Sequence, residues 1–224
     1  MKNVRTIIWD LDETVWFYKE NEPQVLCEKL NIDDVETFEK QYYEMWEDIF
    51  EHFQDTLVNY KRIKQYISKK MPILELYAVT SEDLIEARLE EKKRLATLNQ
   101  EAVEMMKYFF EKGYKNISIT DWFTKDQEHA LESFNLLSYV QEVYGCDNSY
   151  LKCTNKRAEE VLKELVKEET NQFLMIGDSL SSDIFLANNL GIKSIWYNRK
   201  EKVNTTDNIP TLEVKSLLEL KEIL

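Results

Sequence analysis

The sequence contains little of what a flexible linker, a metal–thiolate site or a disulfide framework requires. Its 224 residues include only four glycines, three prolines and three cysteines. The cysteines, Cys27, Cys146 and Cys153, are scattered and form no CxxC pair, which argues against a zinc site. An odd number of isolated thiols is typical of a reducing compartment. We therefore expect a cytoplasmic protein without long flexible linkers.

A surplus of positive charge and a long apolar run are also missing. The formal net charge is −13 at pH 7, and the sequence shows no basic stripe of the kind that binds nucleic acid. The first apolar run ends at Asp10 and Asp12, which argues against a signal peptide. No run approaches the length of a membrane span. We expect neither a nucleic-acid partner nor a membrane partner, and the sequence does not indicate the oligomeric state.

The pattern of residues 1–15 and 98–224 predicts an α/β domain. Hydrophobic residues make up 43% of the chain and charged residues 32%, which is typical of a globular protein. Apolar runs that predict strands alternate with helical patterns, and this alternation favours a doubly wound parallel sheet with helices on both faces. The predicted strands are residues 4–9, 116–120, 140–144, 173–176 and 192–197. The predicted helices are residues 100–112, 125–134, 155–167 and 180–190.

A different pattern fills residues 16–97, where no strand is convincing. Asp33 and Glu36 resemble a capping box for a first helix, and further helices are predicted at about residues 56–70 and from Ser81. Together they predict an all-helical cap domain inserted into the α/β core. Aromatic and apolar residues recur near helical spacing on the first helix, and we expect them to pack between helices rather than hold a ligand. These residues are Tyr42, Tyr43, Trp46, Ile49, Phe50 and Phe53.

Polar side chains follow the predicted strands at the sheet edge where open α/β sheets bind ligands. They are Asp10, Asp12, Thr14, Thr120, Lys152, Asp178 and Asp183. Two carboxylates about 4 Å apart repel by about 4 kcal/mol at an effective dielectric constant of 20, so this cluster requires protonation or a cation. A few carboxylates together with waters and a substrate phosphate suit Mg²⁺. Bound Mg²⁺ would also let an acidic protein accept an anionic substrate.

Three motifs occur in a fixed order along the chain. They are DxDxT at Asp10-Leu11-Asp12-Glu13-Thr14, an apolar strand ending in threonine at Ile117-Ser118-Ile119-Thr120, and GDxxxxD at Gly177-Asp178-Ser179 with Asp183. Together they resemble the first, second and fourth motifs of the haloacid dehalogenase superfamily of phosphatases. Residues 120–127 are similar to the TNGF-x-x-x-Q region of nucleotidase-like members. The resemblance covers residues 2–197 and implies a Rossmann-like core with a C1-type helical cap, which closes over the site and favours small substrates.

The resemblance also implies a role for each motif residue. Asp10 would accept the phosphoryl group as an aspartyl-phosphate. Asp12 would protonate the leaving oxygen and then deprotonate the attacking water. Thr120 and Lys152 would hold and neutralise phosphate oxygens. The expected Mg²⁺ ligands are Asp10, the backbone carbonyl of Asp12, Asp178 and, directly or through water, Asp183.

Two positions depart from the pattern of the family. Asp121 stands where asparagine is frequent, within the expected substrate-binding region. Because an ionised Asp121 would repel phosphate, we expect its side chain to turn away. Cys153 follows Lys152 where proline is usual, and Lys156 is the alternative lysine of the third motif. We favour Lys152 because this choice places apolar residues on the buried face of the following helix.

The expected reaction is Mg²⁺-dependent hydrolysis of a small phosphorylated metabolite, either a nucleotide or a sugar phosphate. Trp16 and Tyr18, where the chain leaves the core, either pack the cap or line the entrance and contact the leaving group. A phosphomutase remains an alternative, because nothing in the sequence measures how the aspartyl-phosphate is shielded from water. A haloacid dehalogenase would not need Asp12. A non-catalytic phospho-accepting or binding module is an alternative from another class, although every catalytic position is filled.

Overall fold

A computed structural model describes residues 3–166 and 169–224. Within these ranges the strands are β1 (Thr6–Trp9), β2 (Trp16–Tyr18), β3 (Ala96–Leu98), β4 (Lys115–Ile119), β5 (Glu142–Tyr144), β6 (Phe173–Gly177), β7 (Lys193–Tyr197) and β8 (Leu212–Val214). The helices are α1 (Glu22–Leu30), α2 (Val35–Phe53), α3 (Tyr60–Lys70), α4 (Ile73–Leu76), α5 (Ser81–Glu90), α6 (Lys92–Leu95), α7 (Gln100–Glu111), α8 (Thr124–Ser133), α9 (Asn155–Val161), α10 (Phe185–Leu190) and α11 (Leu220–Ile223). None of these helices is both long and apolar enough to cross a lipid bilayer.

The centre of the molecule is a six-stranded sheet in the order β5-β4-β1-β6-β7-β8. All its neighbouring strands are parallel. Strand β1 is buried throughout, as its short apolar sequence predicts for a central parallel strand. The predicted fold class is therefore confirmed. Strand β8 was not predicted, because its Leu212 and Glu213 are exposed at the sheet edge and give no apolar run.

Helices cover both faces of this sheet, because successive side chains of a strand point to opposite sides. Ile7 and Trp9 pack in one apolar cluster with Phe109 of α7. Ile8 packs in another cluster with Leu186 of α10. The predicted helix over residues 155–167 is α9 followed by one π-helical turn over Leu162–Val166, and residue 167 lies outside the described ranges. A π-helical turn over Leu180–Ile184 likewise precedes α10.

Helices α1 to α6, called the cap helices below, lie between β2 and β3 in sequence. They enclose an apolar cluster that includes Phe38, Tyr42, Met45 and Ile49. Strands β2 and β3 pair antiparallel, so the expectation that residues 16–97 contain no strand is wrong at both ends. Three-residue strands are too short to give a periodic pattern. The two-stranded sheet of β2 and β3 is called the ribbon below. The predicted domain bounds, 16 and 97, fall inside this ribbon, and the division of the chain at these points stays a prediction.

The beginnings of the cap helices differ in detail from the sequence prediction. Helix α2 is capped by Asp34, whose side chain accepts a hydrogen bond from the Thr37 backbone N–H, so the capping box expected at Asp33 is wrong by one residue. Helix α3 begins at Tyr60 after the cap residue Asn59, four residues later than predicted. Helix α1 was not predicted. Two adjacent residues of similar chemistry can each cap a helix, and sequence spacing alone does not show which of them does so.

Candidate active site

Asp10 lies at the carboxyl end of β1, where the backbone is still paired with β6. Its N–H donates to the carbonyl of Ile176 at 2.9 Å, and the residue is 6% exposed. Beyond Asp12 the chain turns back through Glu13, which has a positive φ of 63°. The turn brings the Thr14 hydroxyl to Asp10 Oδ2, to which it donates at 2.9 Å. One strand end and one tight turn thus fix the Asp10 carboxylate.

Asp178 and Asp183 follow β6, the neighbour of β1. Asp183 is buried, and its Oδ2 accepts a hydrogen bond from the Ser179 backbone N–H at 3.0 Å. Its carboxylate packs so closely against Gly177 that a β-carbon there would overlap it. The spacing of GDxxxxD therefore has a local reason, because the glycine makes room for the aspartate of the following helical turn.

Lys152 joins the two acidic strand ends. Its Nζ donates to Asp10 Oδ1 at 2.5 Å and to Asp183 Oδ1 at 2.6 Å, and its side chain is 3% exposed. Lys156, the alternative from the sequence, is exposed, with its Nζ 4.8 Å from the centre of the Tyr150 ring. The preference for Lys152 therefore agrees with the geometry, while its role in chemistry stays a prediction.

Three carboxylates converge beside this lysine. One oxygen each from Asp10, Asp178 and Asp183 lies within 4.8 Å of the others. Burial, followed by the charge of Asp183, raises the pKa of Asp10. Burial also raises the pKa of Asp183, and with the charges of Asp10 and Glu13 it raises the pKa of Asp178 to about 7. These shifts are those expected of carboxylates crowded together away from water.

The residues present fit a divalent cation. Lys152 supplies one positive charge against three carboxylates, which leaves two negative charges in a buried site when all three are ionised. The Asp178 carboxylate accepts no hydrogen bond from residues 3–166 or 169–224 and is free to bind an ion. An all-oxygen donor set favours a hard ion such as Mg²⁺.

The Asp12 side chain does not join the three converging carboxylates. Its Oδ1 accepts hydrogen bonds from Trp16 Nε1 at 2.7 Å and from the Tyr18 hydroxyl at 2.8 Å. Its Oδ2 accepts from Gln127 Nε2 at 2.6 Å. Although burial opposes the shift, these donors and the nearby Lys92 ammonium lower the pKa of Asp12. The side chain is held apart from those carboxylates, so only the backbone of Asp12 would serve a metal, and the role of the side chain in proton transfer stays a prediction.

Thr120 and Asp121 follow β4 on the other side of β1. The Thr120 hydroxyl oxygen accepts a hydrogen bond from Gln127 Nε2 at 3.0 Å, which leaves its own proton free for a ligand. Asp121 accepts from the Lys152 backbone N–H at 2.7 Å and from the Ser182 hydroxyl at 2.9 Å. Its carboxylate is thus held by neighbouring segments, but Asp121 also lines the cavity described below, and the expectation that its side chain turns away from phosphate stays a prediction.

A cavity of about 540 Å³ opens above these residues. Its floor is the polar cluster described above, and its walls carry aromatic rings. The aromatic residues that line it are Tyr18, Tyr42, Tyr43, Trp46, Phe50 and Trp122. The expectation that the aromatic residues of α2 only pack between helices is therefore incomplete, since four of these six residues belong to α2.

Trp16 and Tyr18, predicted together at the entrance, occupy different environments. Trp16 is fully buried and stacks on Phe134 with the ring centres 5.7 Å apart. Trp16 is also not among the residues that line the cavity, whereas Tyr18 is. Both residues donate hydrogen bonds to Asp12. Trp16 is therefore a packing residue, whereas Tyr18 lines the cavity, and contact of Tyr18 with a leaving group stays a prediction.

Sequence reasoning missed several charged residues of the cavity. Arg88 of α5 lies 4.2 Å from the centre of the Trp46 ring, and its Nε and Nη2 donate to Glu22 Oε1 at 3.3 and 3.1 Å. Lys92 of α6 reaches Asp12. Both lie on helices whose other charged residues are exposed, so their spacing gives no signal. Gln127 could have been found from the similarity to the TNGF-x-x-x-Q region.

A model of the haloacid dehalogenase-like hydrolase family matches residues 4–191. The chain belongs to this family. The match covers both acidic strand ends, the cap helices and the lysine loop. The predictions of this superfamily and of a hydrolase are confirmed, and phosphatase activity belongs to the proposal below.

Individual relatives agree with this assignment. The pyrimidine 5'-nucleotidase PynA of Streptococcus pneumoniae is 32% identical over 127 residues, which are 55% of this chain and 52% of PynA. The pyrimidine 5'-nucleotidase YjjG of Escherichia coli is 28% identical over 107 residues, 47% of this chain and 48% of YjjG. The matches thus span about half the length of both nucleotidases.

A third relative matches along the whole chain. The putative HAD-hydrolase YfnB of Bacillus subtilis is 23% identical over 100% of this chain and 97% of its own. Its magnesium-bound crystal structure superposes with a TM-score of 0.77 at 19% identity and covers 99% of each chain. At this identity, the superposition establishes the shared fold.

Proposed function

We propose that this hydrolase removes the phosphate from a nucleoside monophosphate, with Asp10 as nucleophile and Mg²⁺ as cofactor. The observation that carries the proposal is the arrangement of the site. A buried, lysine-paired carboxylate at a strand end faces a cavity with aromatic walls, and a second carboxylate lies two residues further on. This arrangement supports hydrolysis of a small phosphomonoester more strongly than a binding role, because it combines a nucleophile with a proton donor.

The reaction has two steps, and Asp12 carries a proton in each of them. An Asp10 carboxylate oxygen attacks phosphorus, and the bond from phosphorus to the leaving oxygen breaks as Asp12 gives that oxygen a proton. Water then attacks the phosphorus of the aspartyl-phosphate while Asp12 takes up its proton. The bond from phosphorus to the Asp10 oxygen breaks, which regenerates the Asp10 carboxylate and releases inorganic phosphate. Lys152 and the Thr120 hydroxyl hold the phosphate oxygens and stabilise their charge.

Mg²⁺ would be held by the side chains of Asp10, Asp178 and Asp183 and by the backbone carbonyl of Asp12. When bound, it supplies positive charge to a phosphoryl group as negative charge develops during transfer. The carboxylates of Asp10 and Asp183 remain oriented by Lys152, so the ion adds charge to a site whose geometry is already set.

The walls of the cavity support a nucleoside as the leaving group. A planar base can stack on aromatic rings such as Trp46 and Trp122, whose centres lie 5.4 Å apart, and stacking of a base on an aromatic side chain contributes about 1–3 kcal/mol. Arg88 and Glu22 place a donor and an acceptor on the same wall. A sugar phosphate offers no planar aromatic ring that could stack on these walls. The names of two relatives, both nucleotidases, support the same choice.

Substrate competition in a purified preparation tests this proposal. The kcat/KM should be highest for nucleoside 5'-monophosphates, lower for phenyl phosphate and lowest for ribose 5-phosphate, and all three activities should stop with excess chelator. Folded phosphoproteins should be poor substrates, because the cavity excludes them. Higher kcat/KM for ribose 5-phosphate than for every nucleotide would contradict the substrate class. Full activity in chelator would contradict the metal role.

A further inference from the structure

Lys92 is a buried lysine for which the proposed reaction gives no role. Its side chain is only 7% exposed, and a charged group is rarely buried without partners. Its Nζ donates to the Tyr18 hydroxyl oxygen at 2.5 Å and lies 3.5 Å from Asp12 Oδ1. The rings of Trp16 and Tyr18 have their centres 4.3 Å from Nζ. Among the described residues, Asp12 carries the only carboxylate within 4.0 Å of this ammonium.

The hydrogen-bonding capacity of these groups fixes the direction of one proton. An ammonium group has three donors and no acceptor, whereas a tyrosine hydroxyl has a single proton. Because Lys92 donates to the Tyr18 oxygen, the Tyr18 proton remains for Asp12 Oδ1, 2.8 Å away. Lys92 therefore orients the Tyr18 hydroxyl toward Asp12.

The remaining contacts of Asp12 would survive the loss of Lys92. Trp16 Nε1 donates to Oδ1 at 2.7 Å and Gln127 Nε2 donates to Oδ2 at 2.6 Å, so the carboxylate would stay near its place. Without the ammonium, however, the Tyr18 hydroxyl could rotate away, and Oδ1 would lose both an oriented donor and its nearest cation. The expected consequence is a poorly aimed carboxylate rather than an unfolded site.

We propose that Lys92 is a positioning residue that aims Asp12 at the leaving oxygen through the Tyr18 hydroxyl. The inference rests on the proposed function, in which Asp12 protonates that oxygen. A proton donor matters most when the leaving group is a poor one. Lys92 therefore acts on the slow departure of alcohols such as a nucleoside, and hardly on the departure of a phenol that leaves without protonation.

The test replaces Lys92 and compares leaving groups at saturating Mg²⁺. In Lys92→Met, kcat for a nucleoside 5'-monophosphate should fall about 10- to 100-fold, a fraction of what general acid catalysis contributes. The kcat for p-nitrophenyl phosphate should fall less than about 3-fold by the same reasoning, and KM for both should stay nearly constant. Lys92→Arg keeps the charge and donors and should restore most of kcat. Lys93→Met, on the exposed neighbour, is the matched control and should change nothing.

Tyr18→Phe breaks the same chain of contacts one step nearer to Asp12. It should reproduce the dependence on the leaving group, and adding Lys92→Met to it should cause little further loss. If Lys92→Met does not fold, Tyr18→Phe and Lys92→Arg decide the matter. An equal loss for both substrates, or a change confined to KM, would overturn the positioning role while leaving the proposed function standing. A wild-type protein that hydrolyses no phosphomonoester would overturn both.

Discussion

The floor and the walls of the cavity are built on different principles. The floor consists of charged residues that follow strands of the sheet, Asp10, Lys152, Asp178 and Asp183, and Lys152 pairs with Asp10 and Asp183. The walls consist mainly of aromatic rings from α2 and from the loop that carries Trp122. Several wall residues remain partly open to solvent, with Tyr43 37% and Phe50 48% exposed. In the proposed function, the floor carries out phosphoryl transfer and the walls select the leaving group.

This difference has a measurable consequence. A change in the floor should impair every phosphomonoester to a similar degree, because all of them share the phosphoryl group. A change in the walls should lower kcat/KM only for those substrates whose leaving group carries an aromatic ring. Variants of the two regions can therefore be distinguished by the ratio of kcat/KM values for two substrates, without a structure of the complex.

The largest effect is expected from the nucleophile. Asp10→Asn removes the attacking carboxylate and should lower kcat by at least about 10⁴-fold for every substrate, in line with losses on removing a catalytic nucleophile. Asp207→Asn, at an exposed position, is the control. Steady-state phosphate release measures both. Near-wild-type turnover of Asp10→Asn would show that the nucleophile is another group.

The next effect concerns the lysine of the floor. Lys152→Ala removes the only ammonium paired with Asp10 among the described residues, and kcat should fall about 10²- to 10³-fold, as for a lost donor to a developing anion. Lys156→Ala offers a matched control, because that lysine is exposed. Parallel assays of the two variants compare the sites directly. A larger loss in Lys156→Ala would move the third motif by four residues.

A change in the walls should be smaller and selective. Trp46→Ala removes one ring available for stacking, so kcat/KM for a nucleoside 5'-monophosphate should fall about 10-fold, the equivalent of roughly 1.4 kcal/mol. The value for ribose 5-phosphate should hardly change. Phe110→Ala, which removes a half-exposed ring on α7, controls for loss of a surface aromatic residue. An equal decrease for both substrates would remove the distinction between floor and walls.

The smallest effect is a change of stability with pH. In chelator, the raised pKa values of Asp178, about 7, and of Asp183 mean that the folded protein holds protons which the unfolded chain releases above about pH 4. The free energy of unfolding should therefore fall as pH rises from about 4 to about 7. Mg²⁺ should raise Tm more at pH 8 than at pH 5, because ionised carboxylates bind it. Asp178→Asn should weaken both trends, and a Tm that is independent of Mg²⁺ at pH 8 would contradict them.

The floor could be predicted from the sequence because each of its aspartates lies next to a short, recognisable sequence pattern. Asp10 and Asp178 directly follow apolar strands, and Asp183 lies six residues after the glycine that makes room for it. In a parallel sheet the carboxyl ends of the strands lie at one edge. Once the strands are known, the side chains that follow them are therefore expected at that edge. Lys152 required a choice between two lysines. The structure places Lys152 beside Asp10, although Leu162, one of the apolar residues expected on the buried face of the following helix, is 38% exposed.

The walls and the ribbon could not be predicted in this way. Tyr18, Trp46 and Arg88 meet only after the cap helices have packed, and nothing in their spacing distinguishes a cavity residue from a core residue. Strands β2 and β3 pair across about eighty residues of intervening chain, so no short sequence pattern predicts their pairing. Asp12 illustrates both cases, because its position follows from the motif while its contacts with Lys92 and Gln127 depend on tertiary structure.

Trapping the phosphorylated enzyme tests the central claim most directly. Asp12→Asn should still accept phosphate from p-nitrophenyl phosphate, whose leaving group needs little protonation, but it should release that phosphate slowly. After an acid quench and borohydride reduction, peptide mass spectrometry should find homoserine in place of Asp10, and only in samples that contained both Mg²⁺ and substrate. A phosphoryl group found on another residue, or turnover without modification of Asp10 in any sample, would contradict the account.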